Sequence, residues 1–146
     1  MTELTSNTIW YSSYSLKQLN GQRAHNMTDH LGIQYTELGP DYLKATMPVD
    51  QRTQQPFGLL HGGASCVLAE SLGSVCAWMC IDIQQFAAVG LDINANHLRS
   101  VKQGVVTGEC RAIHIGRRTH VWGIEIRDDN HKLVCVSRLT VAIIQT

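Results

Sequence analysis

One glutamate interrupts the most apolar stretch of the chain. Apart from Glu70 and two serines, residues 66–80 carry only apolar side chains and one glycine. A carboxylate is seldom buried without a partner, and this stretch offers no Lys or Arg to pair with it. A carboxylate that reaches a wet interface, or an Arg elsewhere in the chain, explains the residue type equally well. Gly73 and Ser74 leave room for a substrate about one helical turn further on, and this favours a catalytic Glu70.

The tripeptide His61-Gly62-Gly63 stands shortly before this apolar stretch. The start of a helix presents unpaired N–H groups and partial positive charge, which would stabilise a developing oxyanion. Because Gly62 has no side chain, an acyl group could approach its N–H closely. A tight turn that needs glycine at positive φ explains the tripeptide equally simply, and taken alone the turn is the better explanation.

The spacing of these two features makes them informative together. Eight positions separate Gly62 from Glu70, which is roughly 12 Å along a helix that rises 1.5 Å per residue. One carbonyl group cannot contact both residues of the same chain. If both act on one substrate, one subunit must supply the helix start and another the carboxylate, so the chemistry predicts a homodimer.

The elements that would position these groups follow from hydrophobic periodicity and turn residues. Residues 66–80 are long enough, and rich enough in Ala, Leu and Met, to favour a buried helix over a strand. Alternation and turn signals predict short helical pieces at 15–21 and 25–30, and strands at 33–38, 42–49, 87–98, 105–115, 121–127 and 133–144.

A helix without a polar face must be covered almost completely by sheet, which predicts an α+β fold with an antiparallel sheet curled around one central helix. Two such chains placed edge to edge would continue the sheet and remove its exposed edges. The fold therefore predicts a homodimer independently of the chemistry.

Composition excludes several classes of protein. Of the 146 residues, 44% are hydrophobic and 16% charged, which excludes a disordered or collagen-like chain. Twelve Lys and Arg balance twelve Asp and Glu, so a general electrostatic role on nucleic acid or membranes is not expected. No apolar run approaches the ~20 residues of a membrane-spanning helix, and the first residues do not resemble a signal peptide. We therefore predict a soluble cytoplasmic protein.

The cysteines and histidines show no metal-binding or disulfide pattern. Five cysteines without CxxC spacing predict small packing residues in a reducing compartment, and we assign them no chemistry: Cys66, Cys76, Cys80, Cys110 and Cys135. The seven histidines form no HxH or HxxxH pair on a predicted helix, so no metal and no cofactor are expected.

Several motifs together resemble one family. The segments 55–65 (QPFGLLHGGAS), 68–74 (LAESLGS), 89–100 (VGLDINANHLRS) and 114–117 (HIGR) are similar to the PaaI-like branch of the hotdog-fold thioesterases. Within this branch the chain most resembles hydrolases of 1,4-dihydroxy-2-naphthoyl-CoA from menaquinone synthesis and proofreading thioesterases that act on aryl carrier proteins. The likeness begins at residue 31, so the expected division is an N-terminal extension over 1–30 and a hotdog domain over 31–146.

The resemblance implies a role for each matching residue. Glu70 corresponds to the nucleophile or general base, and the Gly62 N–H to the group that polarises the thioester carbonyl. Gln55 corresponds to a second contact of that carbonyl or of the water. His61 orients the acyl group, and Ser74 lies near the leaving thiolate or the attacking water.

Substrate contacts are implied at a further set of positions: Gly90, His97, Leu98, Arg99, Ser100, His114, Ile115, Gly116, Arg117, Arg118 and Thr119. Between positions 97 and 120, five basic residues stand against Glu109 alone. A solvated strand face usually explains such an excess. Because both segments fall at strand ends, we expect their loops to converge and bind the phosphates of CoA.

The prediction from the sequence is an acyl-CoA thioesterase, with an aromatic acyl group favoured by the resemblance. The alternatives are a proofreading thioesterase for aryl carrier proteins, a hotdog dehydratase, and a non-catalytic acyl-binding module. We expect a homodimer that pairs into a dimer of dimers. Direct attack by Glu70 and activation of water both remain open.

Overall fold

The computed structural model describes residues 7–21 and 25–146. All six strands and all three helices expected from the sequence are present, with ends that differ by a few residues. The helices are α1 (Leu16–Gly21), α2 (Met27–His30) and α3 (Gly62–Met79), and the strands are β1 (Gln34–Leu38), β2 (Tyr42–Pro48), β3 (Phe86–His97), β4 (Val105–Ile115), β5 (Thr119–Arg127) and β6 (Leu133–Gln145).

The six strands form one antiparallel sheet in the order β1-β2-β4-β5-β6-β3. Helix α3 contacts β2, β3, β4, β5 and β6, and so lies across the sheet. Its buried positions are Ala64, Ser65, Leu68, Ala69, Leu72, Gly73, Cys76, Ala77 and Met79. This arrangement confirms the expected sheet around one long central helix.

Glycine allows the helix and the sheet to approach closely. A Cβ at Gly73 would lie 2.6 Å from the Leu139 Cδ2 on β6, and a Cβ at Gly108 on β4 would lie 2.6 Å from the Leu72 Cδ1. Because protein interiors are packed as densely as crystals, a methyl group at either position would push the helix off the sheet.

The sequence predicted that sheet would cover α3 almost completely. In the structure one side of the helix remains partly exposed. Positions 67, 70, 71, 74, 75 and 78 are at least partly exposed, and they recur at helical spacing. The sheet covers one side of the helix, and the aromatic ring of Tyr14 packs against Trp78 near its end. The remaining stripe, which includes Glu70, is open to a second molecule.

The residues before β1 pack onto the same core. Trp10 stacks on the fully buried Trp122 with ring centroids 6.5 Å apart, and Leu19 of α1 is 3% exposed. Ser15 caps the start of α1, since its Oγ accepts from the Gln18 N–H at 3.2 Å. The sequence also predicts that residues 1–8 are frayed, but most of them lie outside the described residues.

The five cysteines are all free thiols. Burial raises the pKa of Cys80 to about 12 and that of Cys135 to about 11, so both thiols stay protonated and unreactive near neutral pH. Across residues 7–21 and 25–146, no helix has the length and apolarity needed to span a membrane.

Candidate active site

An open cavity of about 390 Å³ lies at the start of α3. It brings together six residues singled out from the sequence and four that were not, namely Gln55, Gly62, His97, Leu98, Arg99 and Ser100 together with Leu59, Leu60, Ser65 and Val134. The end of β3 and the loop before α3 therefore meet at the helix N-terminus, as substrate binding at that point requires.

The first turn of α3 presents an unused donor to this cavity. Within the described part of the chain, the Gly62 N–H donates to no protein acceptor. The next N–H, that of Gly63, donates to the Nδ1 of His61 at 2.8 Å. A Cβ at Gly62 would lie 2.8 Å from the His97 Nε2, so glycine at this position makes room for the His97 ring.

Gln55 is held by a tight turn. Its N–H donates to the Leu59 carbonyl at 2.8 Å, and its carbonyl accepts from the Gly58 N–H at 2.9 Å, with Gly58 at φ +78°. Its side-chain Oε1 accepts from the Phe57 N–H. The Oε1 is therefore engaged by the backbone, and the side-chain NH₂ group donates no hydrogen bond to the described residues.

Glu70 lies on the exposed side of α3, beside β3. Its Oε1 is 2.9 Å from the point where a Cβ at Gly90 would stand, so the missing side chain at position 90 leaves space for the carboxylate. Leu91 forms a bulge between Gly90 and Asp92 in the pairing with β6. No salt bridge to Glu70 occurs among the described residues, which excludes the alternative of an Arg partner within them.

The sequence suggested that Gly73 makes space beside Glu70. The structure shows that it does not. Gly73 is buried and faces Leu139 of the sheet, whereas Glu70 is exposed. Ser74 is half-buried and lies one turn beyond Glu70. The residue that makes the room is Gly90, which was selected only through the family resemblance.

The helix separates the two groups of residues. Gly62 and Glu70 both belong to α3, eight positions and thus roughly 12 Å apart. If both groups act on one carbonyl, one chain holds only half-sites: a donor half at the helix start and a carboxylate half beside β3. Ser65, which the sequence analysis missed, is buried in the donor half one turn after Gly62.

The two predicted substrate-binding segments do not converge within one chain. His97 is paired with Cys135 of β6, and Thr119 with Ala142 of the same strand. Seven residues of strand span roughly 23 Å. Segment 97–100 therefore borders the donor half, whereas 114–119 forms the hairpin at the opposite end of the sheet. The expectation of converging loops was wrong for a single chain because it ignored strand register.

No group of three or more His, Cys, Asp or Glu side chains suited to a metal ion occurs where the structure describes the chain. Cys66 lies about one helical turn before Glu70, and burial together with the negative charge of Glu70 raises the pKa of its thiol. Cys66 is thus a poor nucleophile in this setting.

Comparisons with known proteins agree on one family. Residues 57–135 match the model of the thioesterase superfamily. The chain is 53% identical to the 1,4-dihydroxy-2-naphthoyl-CoA hydrolase of Escherichia coli over 93% of this chain and 99% of that protein. It is 49% identical to the proofreading thioesterase EntH of Cronobacter sakazakii over 93% and 98%, respectively.

Solved structures show the same fold. A mutant thioesterase from Pseudomonas aeruginosa, with one glutamine replaced by alanine, has a TM-score of 0.94 and 49% identity over 95% of this chain and all of that one. A Staphylococcus aureus protein, solved with a glutamate replaced by alanine, has a TM-score of 0.80 and 39% identity over 83% and 100%. The same protein was also solved with a glutamine replaced, fifteen positions before that glutamate.

Proposed function

The chain belongs to the thioesterase superfamily and is a thioester hydrolase with the hotdog fold, and on this premise we propose that it cleaves aryl-CoA thioesters, with 1,4-dihydroxy-2-naphthoyl-CoA as the first candidate. The observation that carries this proposal is the exposed Glu70 carboxylate, which lies beside Gly90 with no cation partner among the described residues. The E. coli relative, at 53% identity, is named for that substrate.

We propose that Gln55 and Glu70 are the catalytic side chains. They stand fifteen positions apart, which is also the separation of the glutamine and the glutamate replaced in the S. aureus relative. Gln55 lines the cavity and its Oε1 already accepts from the Phe57 N–H, so we assign its NH₂ group as a donor to the carbonyl oxygen.

The active site is completed across a homodimer. Strand β3 pairs only with β6 within the described residues, and its 12 residues form a long open edge that carries Gly90. Two β3 edges paired around a two-fold axis would place Glu70 of one subunit opposite the Gly62 N–H of the other. The same axis would turn the 114–119 hairpin of one subunit towards the 97–100 segment of the other.

We also propose that dimers pair into tetramers through the face of the sheet opposite α3. This face has an open cavity of about 420 Å³ between Asn94, Arg111 and Arg138, and it exposes Ile113 and Val136. Exposed apolar side chains bordered by polar groups are typical of protein interfaces.

The mechanism follows from the chemistry of a thioester. The Gly62 N–H and the Gln55 NH₂ donate to the carbonyl oxygen and stabilise its negative charge in the tetrahedral intermediate. Glu70 either takes a proton from water, whose oxygen attacks the carbonyl carbon, or attacks that carbon itself to give a mixed anhydride that water then cleaves. The C–S bond breaks and its electron pair leaves on the CoA sulfur. No cofactor is required by either route, and acyl-CoA substrates are consistent with a cytoplasmic enzyme.

Phosphate recognition is assigned to arginines of both subunits. Arg99 borders the donor half, and Arg117 and Arg118 lie on the hairpin that the two-fold axis would bring closer. Arg99→Ala and Arg117→Ala should each raise KM for CoA esters, more at low salt than at high salt, because screening weakens phosphate contacts. Unchanged KM in both variants would remove the arginines from the site.

The proposed function is tested by thiol release from a panel of naphthoyl-, benzoyl-, phenylacetyl- and fatty acyl-CoA. We expect the bicyclic aryl ester to give the highest kcat/KM, and Glu70→Gln to lower kcat by about 10³-fold or more. Glu37→Gln, an exposed carboxylate paired with Lys44 on the other side of the sheet, is the matched control and should behave as wild type.

Thiol release that persists in Glu70→Gln would contradict the catalytic assignment. A wild-type protein that binds these esters without releasing thiol would instead be an acyl-binding module, and one that hydrates or dehydrates an acyl chain would be a hotdog dehydratase. Either result would refute the proposed hydrolysis.

The similarity to EntH favours a second candidate substrate, an aryl group on a carrier protein. The two candidates differ in what holds the phosphopantetheine arm, since a carrier protein lacks the nucleotide phosphates of CoA. Comparison of kcat/KM for the same acyl group on CoA and on a carrier protein distinguishes them. We expect CoA to be preferred, with the preference lost in Arg99→Ala.

A further inference from the structure

His61 is held at the start of α3 by its backbone and by its ring. Its backbone is extended, with φ −69° and ψ 129°, and its N–H donates to the Thr53 carbonyl at 2.8 Å. Its own carbonyl accepts from the Ala64 N–H at 3.0 Å. The ring turns back onto the helix, where Nδ1 accepts from the Gly63 N–H at 2.8 Å. His61 is therefore the N-cap of α3.

Gly62 and Gly63 each stand against an imidazole ring, and this contact explains why glycine is found at both positions. A Cβ at Gly63 would stand 2.9 Å from the Nδ1 and 3.0 Å from the Cε1 of His61, and a Cβ at Gly62 would meet the ring of His97. Neither Gly62 nor Gly63 adopts positive φ. Backbone conformation, the simplest explanation of the tripeptide from sequence, is thus not the reason for glycine here. Each glycine leaves room for one ring.

We propose that His61 serves the reaction as a positioning residue, which acts by capping α3 and so aligning the Gly62 N–H, and not by contact with the acyl group. This inference rests on the proposed role of the Gly62 N–H as the oxyanion donor. The cap uses the Gly63 N–H and leaves the Gly62 N–H as an unpaired donor at the cavity.

The cap matters because an oxyanion donor must be preorganised. Removing a donor costs about 10²–10³ in kcat, and a displacement of about 1 Å costs up to 10². An uncapped first turn frays, so the Gly62 N–H would lose its fixed direction. Because Nδ1 accepts a hydrogen bond, the proton of the neutral ring is on Nε2, and the ring has only that one nitrogen left for any direct contact.

Three substitutions at position 61 separate the two roles. His61→Ala removes the cap and should lower kcat by about 10- to 100-fold with KM nearly unchanged. His61→Asn and His61→Ser retain a capping oxygen but have no imidazole, and both should recover kcat to within about fivefold of wild type. If Asn and Ser are as slow as Ala, the imidazole itself acts on the substrate and the inference is overturned.

Gly63→Ala provides an independent test, because its effect on kcat should differ between two backgrounds. In wild type the new methyl group should displace the His61 ring, so kcat falls by about tenfold. In His61→Ser there is no ring to displace, and alanine should leave kcat unchanged while raising the Tm, because alanine favours a helix over glycine. Equal effects of Gly63→Ala in both backgrounds would show that no coupling exists.

Failure of this inference and failure of the proposed function give different results. If the wild-type protein releases thiol and Glu70→Gln does not, while His61→Asn and His61→Ala are equally slow, only the positioning role is refuted. If Glu70→Gln remains active, the proposed site itself is wrong. A kcat measured well below the Tm of every variant separates loss of alignment from loss of folded protein.

Discussion

The two edges of the sheet are built in different ways. Strand β1 is 5 residues long and bulged, and the side-chain amide of Asn20 in α1 bonds both the N–H and the carbonyl of Tyr35, each at 2.9 Å. Strand β3 is 12 residues long, and no side chain of the described residues covers its outer edge in this way. One edge is closed by its own chain, and the other is open along its length among the described residues.

The open edge also exposes apolar side chains where the closed edge does not. Val89 and Leu91 of β3 are 45% and 63% exposed, whereas Tyr35 of β1 is buried. Soluble proteins usually protect long edge strands, because an open ladder pairs with other chains. The unprotected strand is also the one that carries Gly90 beside Glu70, so the proposed dimer and the proposed catalytic carboxylate would share one surface.

The largest effect is expected from a charge placed on the open edge. Val89→Lys should prevent edge pairing, because lysine on an edge strand resists burial and blocks ladder formation. We expect a monomer by light scattering and a fall in kcat/KM of about 10³-fold or more, since each chain alone contains only half-sites.

The matched substitution is Thr36→Lys at the exposed bulge of β1, the closed edge. Thr36→Lys should change neither the mass of the oligomer in light scattering nor kcat/KM. If Val89→Lys remained dimeric, or was monomeric and fully active, the difference between the edges would have no bearing on function.

A smaller effect is expected from one methyl group on the open edge. Gly90→Ala should displace the Glu70 carboxylate, whose Oε1 would otherwise lie 2.9 Å from the new Cβ. The side chain of Glu70 is long and exposed, so it can move without unfolding the chain, and we expect kcat to fall by about 10- to 100-fold with little change in Tm.

Gly21→Ala is the control for this methyl group. Gly21 ends α1 beside the closed edge, and a Cβ there would have no atom of the described residues within 4 Å. Full activity in Gly90→Ala would place the reactive position of the carboxylate away from β3.

At the closed edge we expect a change in stability alone. Asn20→Ala removes both hydrogen bonds to Tyr35 and should lower the free energy of unfolding by about 1–2 kcal/mol. Urea denaturation measures the change, and kcat and mass should equal those of wild type. A loss of activity as large as that of Gly90→Ala would show that the two edges are coupled.

The smallest effect is expected on the pH dependence of stability, at a strand in the interior of the sheet between the two edges. Burial, with a contribution from the charge of nearby His114, lowers the pKa of His120 on β5 below its ordinary value. The unfolded chain therefore binds this proton more readily, so the stability contributed by neutral His120 is present at neutral pH and is lost as the pH falls below about 6.5.

His120→Phe should accordingly show a shallower decline in Tm between pH 7.5 and pH 5.5 than wild type does. Its Nδ1 has no hydrogen-bond partner among the described residues, so phenylalanine would lose only the bond between the ring and the Gly116 backbone. An identical decline in both proteins would mean that other groups determine the acid sensitivity.

Much of this architecture could be predicted from local patterns. The turn residues and the alternation of β2 and β4 specify strands with little ambiguity, and β4 spans the 105–115 predicted for it. The apolar run at 66–80 gave the helix, although α3 begins four residues earlier because the His61 cap allows both glycines into the first turn. The eight-residue separation of Gly62 and Glu70 is itself readable from the sequence, and the proposal of a site shared between two chains starts from it.

Side-chain direction and strand register could not be predicted in this way. Gly73 follows Glu70 by one turn, yet it faces Leu139, and the room beside the carboxylate comes from Gly90, twenty positions away in sequence. The distance between segments 97–100 and 114–119 depends on how β3 and β5 are each aligned with β6. Both are consequences of long-range packing, for which one sequence carries no periodic signal.

The most direct test of a site shared between subunits is complementation of two inactive variants. Glu70→Gln lacks the carboxylate, and Gln55→Ala lacks a donor at the opposite half. When the two are co-expressed in equal amounts, half of the dimers are mixed, and each mixed dimer contains one intact site and one doubly altered site. The shared site predicts about a quarter of the wild-type kcat from two proteins that are each inactive, whereas a site within one chain predicts no recovery, and that result would contradict it.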